Sequence, residues 1–163
     1  MSKQLFDSFN QISEIFNNNV VEISVKRHQI SLELNQKTIL LQDIDKFYNQ
    51  VKVLQDSFIA TNEDSLFIVC GLSEGVLEDT EMQGLFKDFI SVTEEIFEKV
   101  CKCPVFEFVV SDKYIKIYLD KQGLTTEDLN AYEEIFQLKG EGTLELHPQR
   151  PYLLFVNTNI EEV

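Results

Sequence analysis

The sequence has no tryptophan, six glycines, three prolines and three cysteines, and its 14 basic residues are outnumbered two to one by 28 acidic ones. Each shortage excludes something. Six glycines leave little material for a phosphate-cradling loop, and none of the patterns G-x-x-x-x-G-K-[ST], G-x-G-x-x-G or G-x-S-x-G occurs. Cys70, Cys101 and Cys103 form no even disulfide framework, which fits a reducing compartment. A formal charge of −14 and a pI near 4.4 disfavour the basic patch that the phosphates of nucleic acid or anionic lipid require. Neither nucleic acid nor membrane is an expected partner. No apolar run approaches the roughly 20 residues that cross a bilayer, and "MSKQLFDSFNQISEIF" at the start lacks the apolar core of a signal peptide. The expected location is the cytoplasm.

What the sequence does have is apolar residues in regular rhythm. Hydrophobic residues make up 44% of the 163, enough for a folded globule, and the 13 phenylalanines recur at spacings that bury them. Leu5, Phe9, Ile12 and Phe16 fall on one face of a helix, which "NNN" at 17–19 ends. "VVEISVK" and "QISLELN" alternate with period two and read as a hairpin turning at Lys26, Arg27 and His28, with "KTILLQ" as a candidate third strand. Asp43 is a competent N-cap for a helix through Ile44, Phe47, Val51 and Leu54. "SFIAT" and "LFIVCGL", joined by "NEDS", read as a second hairpin.

After the acidic stretch "SEGVLEDTE" the order restarts. "MQGLFKDFISVTEEIFEKV" is the strongest helical pattern, "VFEFVV" and "YIKIYL" a third hairpin around Ser111, Asp112 and Lys113. Thr125 or Thr126 caps a fourth helix, and "TLELH" with "YLLFV" closes the chain as a fourth hairpin. At an offset of 85 residues Glu22 meets Glu107, Val25 meets Val110, Ile30 meets Ile115, Asp43 meets Asp128 and Ile68 meets Leu153. The leading helices align at an offset of 80, Phe6 with Phe86 and Phe9 with Phe89.

One helix and one hairpin cannot bury enough apolar surface to stand alone, whereas two such units can lay their strands into one sheet. The expected fold class is therefore α+β. It is a two-layer sandwich of antiparallel β-hairpins and helices, arising by internal duplication of an αββαββ unit with pseudo-two-fold symmetry. The halves are residues 1–72 and 82–163, joined by an acidic linker at 73–81 and sharing one core. An αββαββ half is also what circular permutation of a ferredoxin-like βαββαβ unit gives. With "KTILLQ" as a strand, the order over residues 4–101 resembles, in topology only, that of class I secretion chaperones, which are small, acidic and non-enzymatic.

Chemistry-bearing groups are sparse. His28 and His147 sit in expected turns and lack the three or four spaced ligands of a zinc site. Cys101 and Cys103 flank Lys102 one residue short of C-x-x-C spacing. Paired acids occur on helices opposite their apolar stripes, where a solvated face accounts for them. No catalytic residue, metal or cofactor is expected, and the chain reads as a non-enzyme. Its expected job is binding another protein. In the first version it is an inhibitor or immunity-type protein that caps a basic, nucleic-acid-binding surface of its partner with Glu74, Glu78, Asp79, Glu81, Glu94, Glu95 and Glu98. In the second it is a chaperone or adaptor that holds an apolar segment of a partner along a sheet edge or groove, with Ile90 and Phe97 as surplus apolar residues.

Overall fold

The helical rhythm at the start of the chain forms α1, Ser2–Ile15. It buries Leu5, Phe9 and Ile12, with Phe16 just beyond it. Asn17 and Asn18 then take left-handed backbone angles, φ 57° and 63°. The Asn18 N–H donates to the Ser13 carbonyl at 2.8 Å and the Asn17 N–H to the Glu14 carbonyl at 3.3 Å, the two bonds of a Schellman stop. Asparagine tolerates this conformation better than other residues with a side chain, which is why the asparagine run ends the helix.

The computed structural model of the chain describes residues 2–26, 29–51, 57–62, 65–71, 84–99, 105–119, 125–136, 143–145 and 152–157. After α1 come β1 (Val20–Lys26), β2 (Gln29–Leu34), α2 (Leu41–Val51), β3 (Ser57–Asn62) and β4 (Ser65–Gly71). A 3₁₀ turn, Gly84–Phe86, leads into α3 (Lys87–Lys99), followed by β5 (Val105–Val110), β6 (Tyr114–Leu119), α4 (Thr126–Phe136), β7 (Thr143–Glu145) and β8 (Tyr152–Asn157). The class is α+β. All eight described strands belong to one antiparallel sheet in the order β3-β4-β2-β1-β5-β6-β8-β7.

"KTILLQ" is not a strand. Leu41 and Gln42 open α2, and the Leu40 carbonyl accepts from the Asp43 and Ile44 N–H groups at 3.0 and 3.2 Å. Asp43 therefore lies inside the first turn, where its charge favours the helix dipole, and is not the cap. Ile39 packs on the core while Leu40 and Leu41 stay exposed, so three consecutive apolar residues do not alternate as a strand's would. Without that third strand, the element order of class I secretion chaperones is lost.

At the start of α4 the sequence supplies a capping box. The Asp128 N–H donates to Thr125 Oγ1 and the Thr125 N–H to Asp128 Oδ2, both at 3.2 Å. The third hairpin turns on Ser111, 2% exposed, whose Oγ accepts from the N–H groups of Lys113 and Tyr114.

Register follows the alternation. Ile23, Val25, Ile30, Leu32, Leu34, Leu66, Ile68, Cys70, Phe108, Val110, Ile115 and Ile117 are buried in one cluster with the apolar stripes of the four described helices. Rings carry the core between helices: Phe16, Phe47, Phe86 and Phe89 meet in sequence at centroid distances of 5.5, 5.9 and 6.3 Å. Ile90, 1% exposed, belongs to this core and offers no groove. The first and third hairpins match pair for pair: Ile23–Leu32 and Phe108–Ile117, and an irregularity at Val20/Glu22 and at Val105/Glu107.

The last strand departs from the expected alignment. β4 pairs Ile68 with Leu32, whereas β8 pairs Leu154, not Leu153, with Ile117. In sheet position Leu154 therefore takes the place expected of Leu153, one residue beyond the offset of 85. A one-residue slip moves every side chain of a strand to the other face.

Candidate functional site

Of the acids expected to bind a partner, Glu74, Glu78, Asp79 and Glu81 lie outside the described residues, as does the whole stretch 73–81. Glu94 is exposed and Glu95 half-buried on α3. Glu98 sits one turn after Glu94 on the same helix, its side chain outside the description. His28, His147, Cys101 and Cys103 are also outside it.

Among the described residues no group of three or more His, Cys, Asp or Glu is placed to hold a metal ion. The Cys70 thiol is buried on β4, and loss of water around it pushes its pKa up to about 12. It stays protonated at neutral pH and is a poor nucleophile. No described helix is long and apolar enough to cross a membrane.

The strand positions opposite the core carry a polar constellation at the β1–β5 seam. That seam is short: Ile23–Val110, Ser24–Val109 and Val25–Phe108. Two long-range side-chain hydrogen bonds brace it. The Ser24 hydroxyl donates to the Glu107 carboxylate, and the Tyr114 hydroxyl donates to Glu22 Oε2 at 2.5 Å. Burial, then the bond to the Glu22 carboxylate, hold the Tyr114 phenol above its usual range. The Lys116 ammonium lies 4.5 Å from the Tyr114 ring centroid. Glu22 and Glu33 face each other directly across β1 and β2. Partial burial, with the Glu22 charge second, raises the Glu33 pKa. Ser24, Glu107, Tyr114, Glu22 and Lys116 have structural partners among themselves, which explains how the seam holds.

The edges of the sheet differ. β7 closes one end with three residues, Thr143–Glu145, one of them charged. β3 closes the other with six, "SFIATN", none charged and none proline. Phe58 is 58% exposed and Ile59 44% exposed. Phe58 pairs with Val69, while Ile59 pairs with Ile68, which is fully buried. Two adjacent side chains on opposite faces of one strand are thus uncovered, which places the exposure at the sheet's rim. Natural sheets usually blunt such an edge with Lys, Pro or a short strand; β3 has none of these.

No protein family, curated protein or solved structure matches this chain. The site must therefore be read from its own residues. Sequence patterning identified "SFIAT" as a strand but not as the rim, because period two is the same in a central and an edge strand. The available signal was composition: β3 lies between Asp56 and the pair Glu63–Asp64 and has no charge of its own.

Proposed function

We propose that this chain is a non-enzymatic protein-binding module that holds an extended segment of a partner protein on the β3 edge. The observation that carries it is the exposure of Phe58 and Ile59 on an uncharged terminal strand. Strand addition to such an edge gains a row of main-chain hydrogen bonds and covers the flanking side chains. This is the adaptor or chaperone reading, without the class I secretion-chaperone topology.

The inhibitor reading, in which acids cap a basic surface, is the second. It is favoured by where the charge sits: the four described helices hold twelve acids and four bases, and the eight strands four acids and two bases. Glu94, Glu95 and Glu98 belong to that helical surplus. Affinity capture with the full chain at about 50 and about 500 mM salt separates the two, because the Debye length falls from roughly 14 Å to 4–5 Å. Edge binding predicts a partner retained at high salt by the charge-reversed variant Glu78→Lys, Asp79→Lys, Glu94→Lys, Glu95→Lys and lost by Phe58→Asp. A partner lost by the charge reversal and kept by Phe58→Asp would overturn it in favour of the inhibitor.

The architecture behind the edge is proposed to be a duplicated αββαββ unit in a two-layer sandwich. Supporting this, α2 and α4 have the same length, 85 residues apart, and the β1–β5 pairing is self-complementary about Ser24 and Val109, with Ile23–Val110 mirrored by Val25–Phe108. The Ser8 hydroxyl donates to Asp88 Oδ2 at 2.9 Å, a contact between positions 80 apart, the offset at which the leading helices align. The half-sheet order β3-β4-β2-β1 is also that of a circularly permuted ferredoxin-like unit. On this reading β3 and β7 are equivalent edges, of which one has stayed long and uncharged.

A further inference from the structure

We infer that the occupant of the β3 edge is a segment with a short apolar centre and basic residues on both sides, and not a second copy of this chain. The inference rests on the edge-binding reading above and names its partner's chemistry. Ile59 lies level with the buried Ile68, where the core-side layer ends, and Phe58 lies level with Val69 on the other side. A strand laid beside β3 covers both only if its consecutive residues are apolar, as in strands buried on both faces. Six residues span about 20 Å, so the apolar centre is short.

Charge decides what surrounds that centre. β3 and β4 carry no charged residue, but the sequence places Asp56 directly before β3 and Glu63–Asp64 directly after it, on a chain of net charge −14. In sequence, acid adjoins both ends of β3, and Lys or Arg flanking the apolar centre complements that charge. A second copy would bring the same acidic flanking sequence and the same net charge of −14 to this edge. Six residues of strand pairing also fall well short of the roughly 800 Å² per partner of a standard stable interface.

The test uses the full chain and three synthetic peptides. One has five β-branched residues between paired lysines, the second the same centre between paired glutamates, the third the lysines with a Gly-Ser centre. The lysine-flanked β-branched peptide should bind at least tenfold tighter than either control in a fluorescence titration, with amide shift changes concentrated in residues 57–62. The margin over the glutamate-flanked peptide should shrink at about 500 mM salt. Phe58→Asp, at a rim position the core does not need, should abolish binding with an unchanged circular dichroism spectrum. Equal binding of the lysine and glutamate versions, binding by none, or shifts elsewhere would overturn the inference. So would a dimer of the free chain in sedimentation that Phe58→Asp dissolves. If the peptides fail while a captured natural partner is still lost on Phe58→Asp, the edge-binding reading stands and only the partner's chemistry is wrong. If Phe58→Asp retains the natural partner, the edge-binding reading itself fails.

Discussion

At the scale of single residues, backbone geometry and charge make the sharpest predictions. Gly84 has φ 52°, and a Cβ there would collide with the carbonyl groups of Gln50 and Val51 at the end of α2. Both the left-handed angle and the close approach demand glycine, so Gly84→Ala should cost about 2 kcal/mol. Urea unfolding would measure this; an unchanged midpoint would show the α2–α3 junction is looser than described. Glu33 makes the opposite kind of prediction. Its pKa is raised in the folded chain, so the native state binds the proton more tightly than the unfolded state does. Its contribution therefore turns unfavourable as pH rises past its ordinary value of 4.5. Glu33→Gln should raise the melting temperature at pH 7, and the gain should vanish by about pH 4; a gain independent of pH would assign the effect to packing. None of this could be read from the sequence, because neither Gly84's neighbours nor Glu33's cross-strand partner are sequence-adjacent.

At the scale of elements, most of the fold was legible and the exceptions have causes. Period-two and 3.6-residue rhythms survive in the described strands and in the four described helices, and the helices and the strands β1, β2 and β4 each bury one face. "KTILLQ" misled because Leu40 and Leu41 are apolar yet exposed; they look like strand residues, but hydrogen bonding from Asp43 and Ile44 makes this stretch a helix start. Leu40 holds the position before α2 that Thr125 holds before α4, and Asp43 matches Asp128. Leu40→Thr should therefore complete a second capping box and stabilise the fold by about 1 kcal/mol, while Thr125→Ala should cost about the same. Thermal melts of both variants check this, and a destabilised Leu40→Thr would mean Leu40 packs where the exposure says it does not. The misplaced β8 alignment came from the same limit: a one-residue change of register shifts a strand's faces without disturbing its alternation.

At the scale of the whole molecule, the sequence made the acidic balance and the α+β class plain but left the two sheet ends alike. Strand order decides which residues reach the rim, and only the assembled sheet puts Phe58 and Ile59 there beside buried Ile68. The same sheet joins both halves of the chain through the three-pair seam at Ser24 and Val109. A chain ended near Ser73 would bare Ile23 and Val25 on β1 and should aggregate or bind a hydrophobic dye; a well-behaved monomeric half would contradict the shared core. The central claim is that a partner adds to β3. Amide hydrogen exchange of the full chain, alone and saturated with its captured partner, tests it most directly. The account predicts new protection in residues 57–62, with α3 and α4 unchanged. Protection on α3 around Glu94 and Glu95, with 57–62 exchanging as before, would contradict it.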